Sequence, residues 1–147
     1  MTTAMPGDHI VIGNDVAELR RMTGWLRAYT KAVDMPPQLV HRLDVCANEA
    51  VANIISYAYD QPGWHEITLA LSETARGVRL VIRDDGKPFN VLEVPEHVAP
   101  ANLDDARIGG FGVHIIRRLM AHCDYRREND INVLSLETAH KLQPGNA

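Results

Sequence analysis

Cysteine is scarce in this chain of 147 residues: only Cys46 and Cys123 occur, far apart and each inside an apolar pattern. That spacing argues against a disulfide and for two buried free thiols without a redox role. No apolar run approaches the roughly 20 residues that a transmembrane helix needs, and the opening MTTAMPGDHI lacks a basic region followed by an apolar core. These absences predict a protein that stays in the cytoplasm. The seven histidines are scattered without His-x-x-x-His spacing, and no Cys-x-x-Cys occurs, so a zinc site has no support. Ser56, Ser72 and Ser135 lie outside any Gly-x-Ser-x-Gly elbow, which sets hydrolase triads aside. Positive charge is also in deficit. The net charge is −4, and the only dense basic group, Arg117, Arg118, Arg126 and Arg127, reads as a solvated face and not as a nucleic-acid surface.

What is present describes a globular chain, with 46% hydrophobic and 23% charged residues and length enough for one core. A single domain over residues 1–147 is expected. Residues 9–12, HIVI, form a short strand ended by Gly13 and Asn14. Val16, Leu19, Met22, Leu26 and Tyr29 then keep helical spacing behind Asn14 or Asp15 as cap, as far as Asp34. Pro36 and Pro37 break that helix, and Pro37 suits the first turn of the next. In this next helix Leu39, Leu43, Cys46, Ala47, Ala50, Val51, Ile54 and Ala58 recur at three- and four-residue steps.

The runs EITLALSE and GVRLVIRD alternate with a period of two and form adjacent antiparallel strands around a turn at residues 74–77. From residue 91 to 108 the pattern dissolves, which predicts a functional loop of the lid type. Gly109-Gly110-Phe111-Gly112 then opens a helix through Val113, Ile116, Leu119, Met120 and Cys123. Asp124 to Arg127 and Asn132 to Leu136 close the chain as two strands, and 138–147 is a loose tail.

Three places carry candidate chemistry. Glu49 and Asn53 stand one above the other on a flank of the long helix, either as a solvated edge or as a pair holding a hydrated cation and a reacting group. Asp84 ends a strand beside Gly86, as an ordinary Asp-Gly turn or as a carboxylate that accepts from the exocyclic amine of adenine. Gly109, Gly110 and Gly112 before a helix either cap and pack it or bring backbone N–H groups to a phosphate. No Gly-Lys-Ser/Thr follows, so this is not a P-loop.

Taken in order, Glu49-x-x-x-Asn53, Asp84-x-Gly86 and Gly109-Gly110-x-Gly112 resemble the N, G1 and G2 boxes of the GHKL (Bergerat-fold) ATP-binding superfamily. The runs DDGKPFN, GGFGVHIIRRLM and INVLSLE are most similar to the bacterial anti-sigma-factor serine/threonine kinases. The resemblance implies an α/β two-layer sandwich, a mixed and largely antiparallel sheet with helices on one face. It implies ATP and Mg2+ as cofactors, with Asn53 on the metal and Asp84 on the adenine amine. Gly86 would lie against the base, Gly109, Gly110 and Gly112 would cradle the phosphates under the 91–108 lid, and Glu49 would be the catalytic base. The implied partners are an anti-anti-sigma (STAS) protein, a sigma factor and a second copy of the chain. Asn90 stands where this group often has aspartate, and Tyr57 and Ser56 replace the histidine and basic residue often seen at the end of the N box. These departures leave open an alternative, a nucleotide-gated module that captures a regulatory protein with little transfer.

Overall fold

Alternation along Glu66–Glu73 sends Ile67, Leu69 and Leu71 into the core and turns Thr68, Ala70 and Ser72 to the opposite side. The same period in Val78–Asp84 buries Val78, Leu80, Ile82 and finally Asp84. In the computed structural model, which describes residues 8–93 and 112–139, these two strands are the second and third of five. They are β1 (Asp8–Gly13), β2 (Glu66–Glu73), β3 (Val78–Asp84), β4 (His122–Glu128) and β5 (Ile131–Glu137). The order across the sheet is β1-β2-β3-β5-β4, and every described pairing is antiparallel. The register sets Asp84 on β3 directly opposite Asn132 on β5.

Each connection follows from its residues. Between β2 and β3 the Thr74 N–H donates to Gly77 O at 2.8 Å, and the Thr74 hydroxyl accepts from Gly77 N. Between β4 and β5, Asn129 and Asp130 both take positive φ, 52° and 65°, the two-residue geometry that matches strand twist and that these side chains tolerate.

Three helices cover one face: α1 (Leu19–Ala32), α2 (Pro37–Tyr57) and α3 (Gly112–Leu119). Asp15 caps a 3-10 turn over Val16–Glu18 that leads into α1, so the α-helix proper starts later than its spacing suggests. Pro37 occupies the first turn of α2 as expected. Met22 and Leu26 of α1, Leu43, Cys46, Ala50, Val51 and Ile54 of α2, and Ile116 of α3 join the sheet in one hydrophobic cluster. Each fully buried Leu or Ile there contributes about 1.5–3 kcal/mol. α3 ends at Leu119, so Cys123, whose spacing suggested helix, belongs to β4. Cys46 is buried and Cys123 half-buried, both free, and burial pushes the Cys46 thiol up to about 12, which leaves it unreactive. Among the described residues no helix is long and apolar enough to cross a membrane.

At the outer margin of the sheet, two main-chain groups of β1 are taken by side chains. Val11 O accepts from Arg21 at 2.7 Å and Gly13 N donates to Glu18 at 2.9 Å, while Arg21 and Glu18 are themselves paired at 2.9 Å.

Candidate functional site

Helix α2 carries two carboxylate–amide pairs with the same four-residue spacing, and the structure treats them differently. On one flank Asp44 and Asn48 are saturated. Asp44 accepts from Thr23, Arg27 and Asn48, and the Asn48 amide also donates to Thr23 and to Asp44 O, which ties α2 to α1. On the other flank Glu49 is half-buried and makes no hydrogen bond to any described residue. Asn53 is 0% exposed, with neither amide atom partnered among the described residues. Spacing placed Asn53 at the border of the core; in the structure it is fully buried, and α3 packs against α2 with the Cys46 thiol directed at Ile115 O. Buried amides are almost always hydrogen-bonded, so a wholly orphaned one asks for a ligand. The carbonyl oxygen is a hard donor of the kind a magnesium ion takes. Burial also raises the Glu49 carboxyl above its usual range, the direction that makes a carboxylate a stronger base.

The end of β3 is docked onto the last turn of α2. Lys87 N donates to Ala58 O at 2.8 Å, and a Cβ built on Gly86 would lie 2.5 Å from that oxygen and 2.8 Å from the Ala58 Cβ. Gly86 is therefore glycine because a helix occupies its side-chain space, a reason independent of any flat ligand. Asp84, 3% exposed, receives two described hydrogen bonds, from Gly86 N and Asn132 Nδ2, each at 2.9 Å and both on Oδ1. Burial raises the Asp84 carboxyl, opposed by the hydrogen bonds from Asn132 and Gly86. Beside it the Tyr59 ring stacks on His65 with centroids 4.5 Å apart, and its buried hydroxyl has no partner among the described residues. Burial, then the charges of Asp84 and Asp85, push that hydroxyl up.

Sequence reasoning missed the centre of this region. Asn132 Oδ1 accepts from Tyr125 at 2.6 Å, Arg127 at 3.0 Å and Phe89 N at 3.3 Å, while its Nδ2 donates to Asp84 and to Lys87 O. An asparagine inside the apolar run INVLSLE was the available signal, because asparagine is depleted in strands. Arg127 also donates to Gly86 O, so it is part of the site and not of a solvated face; Arg118 and Arg126 do face solvent. Arg117 reaches Leu92 O at 3.0 Å, joining α3 to a 3-10 turn at Val91–Glu93. That turn is opened by Asn90, whose side chain accepts from Leu92 N. Gly112 is the first residue of α3. Gly109, Gly110 and the rest of the expected lid and tail, residues 94–108 and 140–147, lie outside the described residues.

A family profile described as histidine kinase-like ATPase domain matches residues 12–138. The serine/threonine-protein kinase BtrW of Bordetella bronchiseptica is 33% identical over 116 residues, covering 79% of this chain and 81% of the relative. The serine-protein kinase RsbW of Staphylococcus epidermidis is 26% identical over 107 residues, covering 69% of this chain and 67% of the relative. The crystal structure of the RsbU and RsbW domains of a Mycobacterium tuberculosis protein superposes with a TM-score of 0.61 at 13% identity, over 95% of this chain and 35% of that one. At that identity the likeness speaks for the fold, and this chain spans about a third of the crystallised one. By the profile match over most of its length and by the BtrW relationship, the chain belongs to the histidine kinase-like ATPase domain family, of the GHKL type that its three boxes resemble.

Proposed function

We propose that the protein is a serine/threonine kinase of the anti-sigma-factor type, which binds Mg-ATP and phosphorylates an anti-anti-sigma (STAS) partner, regulating a sigma factor by partner switching. The observation that carries the reading is the buried Asn53 amide, unpartnered among the described residues and one turn from Glu49, in contrast to the hydrogen-bonded Asp44–Asn48 pair on the other flank. The names of its relatives, both protein kinases, support it.

In this reading Asn53 Oδ1 would hold the magnesium ion, which supplies charge neutralisation at the phosphates. Asp84 accepts from the adenine amine, and Gly86 lets the end of β3 sit tight against α2. The N-terminus of α3 at Gly112 would offer backbone N–H groups to phosphate oxygens, the role the resemblance also gives to Gly109 and Gly110. Glu49 takes the proton from the partner's serine or threonine hydroxyl as that oxygen attacks the γ-phosphorus. The rest of the catalysis is positioning and electrostatics, which phosphoryl transfer chiefly requires.

The test is incubation with labelled ATP, magnesium and candidate STAS proteins. Glu49→Gln should cut transfer by about 10²–10⁴-fold, the worth of a general base, with ATP affinity unchanged; normal transfer by the variant removes Glu49 from the role. The second reading, a nucleotide-gated binding module, is favoured by one observation: Asn90 is spent on the Val91–Glu93 turn. Partner capture that needs nucleotide but leaves no label on the partner would select it.

A further inference from the structure

The geometry points to Asn132, backed by Arg127 and Tyr125, as a positioning residue that fixes how Asp84 presents its carboxylate and so sets the base specificity of the pocket. This rests on the nucleotide-binding reading above and assigns the determinants within it.

The amide of Asn132 has one allowed orientation. Its Oδ1 is approached by three donors, the Tyr125 hydroxyl, the Arg127 guanidinium and Phe89 N, and its Nδ2 faces two acceptors, Asp84 Oδ1 and Lys87 O. Reversal would set an oxygen against a carboxylate and a carbonyl, and an NH2 against three donors. A charged donor holds that polarity, because the same Arg127 nitrogen also donates to Gly86 O at 3.1 Å. Nδ2 is thus always the atom offered to Asp84.

With Gly86 N as the second donor, Asp84 Oδ1 is committed on both sides. What the carboxylate has left is Oδ2, an acceptor in a group only 3% exposed. An acceptor that a bound ligand covers without supplying a donor is costly, so the pocket favours a ligand that brings an N–H to this point and disfavours one that brings a carbonyl. A 6-amino purine does the first; a 6-oxo purine does the second. Asn132 touches no ligand in this account. It acts through Asp84, from the facing position in the β3–β5 register.

The experiment compares the Kd of ATP with that of purine riboside triphosphate, the same ligand without its 6-amino group, for the wild type, Asn132→Ala and Tyr125→Phe, each checked for a cooperative thermal transition. The wild type should prefer ATP by roughly ten- to a hundredfold, the worth of a hydrogen bond to a charged group. Asn132→Ala should reduce the preference to less than about threefold, with the loss falling on ATP and not on the amine-free ligand. Tyr125→Phe, which removes one hydroxyl from the network, should lie between the two and decides the matter if Asn132→Ala does not fold. Unchanged preference in the variants, or equal weakening of both ligands, overturns the assignment. A wild type that binds both ligands equally overturns it together with Asp84 as the base contact, whereas a wild type that binds neither overturns the nucleotide-binding reading itself.

Discussion

Replacing Asn53 by alanine should make the protein more stable and useless to nucleotide. The side chain is 0% exposed and neither amide atom has a partner among the described residues. Leaving a buried polar group unsatisfied costs about 1–3 kcal/mol, which the alanine variant no longer bears. Asparagine in mid-helix costs up to about 0.7 kcal/mol more than alanine. Against these gains stands a cavity of methyl size or somewhat larger, about 1 kcal/mol. The balance is a gain of about 1 kcal/mol, which for a chain of this length raises Tm by about 2–4 °C. Ligand reverses the order. Mg-ATP at a hundred times its Kd adds about 2.7 kcal/mol to the wild type and should add nothing to the variant. Thermal unfolding followed by near-UV circular dichroism, with and without Mg-ATP, should therefore give curves that exchange rank. A variant less stable than the wild type without nucleotide would show that the amide is part of the structural framework. A variant that keeps the full nucleotide-induced shift would show that Asn53 is not a ligand-side residue.

The Asp84 carboxyl is raised in the folded protein, chiefly by burial, so the native state holds its proton more tightly than the unfolded chain does. The wild type then loses stability as pH climbs from the ordinary carboxylate value through the raised one. Asp84→Asn should consequently be the more stable protein near neutral pH in urea titrations, with the advantage gone once pH falls below the ordinary carboxylate range; an advantage independent of pH would contradict the burial argument. Gly86→Ala should lower stability by about 1–3 kcal/mol, because the new Cβ meets the main chain of Ala58 at 2.5 Å. Gly24→Ala, at an exposed α1 position with no atom within 4 Å of the new Cβ, should raise it by about 0.8–1.0 kcal/mol. Denaturation midpoints of the pair test both, and a neutral Gly86→Ala would mean that α2 can withdraw from β3.

The elements that fold on local period were legible in the sequence. Helix α2 begins at the expected Pro37, and the alternation of β2 and β3 names their buried residues correctly, because both depend on side chains spaced a few positions apart. What could not be read was which flank of α2 another element would claim. Asp44–Asn48 and Glu49–Asn53 are equivalent in a helical projection; the side chains of α1 hydrogen-bond the first pair, and no described residue does so for the second. Asn132 was hidden for a similar reason, since its meaning depends on the register that places β5 between β3 and β4. Gly86 was legible as a required glycine, but its cause, the Ala58 main chain, lies 28 positions away in sequence.

The ion pair of Glu18 and Arg21 on β1 bears on how copies of this chain can meet. An incoming strand would have to displace a salt bridge, and two hydrogen bonds already made to Val11 and Gly13, before forming its first rung. The β1 margin of the sheet is thereby shut to extension, which guards against strand-on-strand aggregation at that edge. The second copy of the chain that the resemblance implies would therefore not meet the first through a sheet continued at β1.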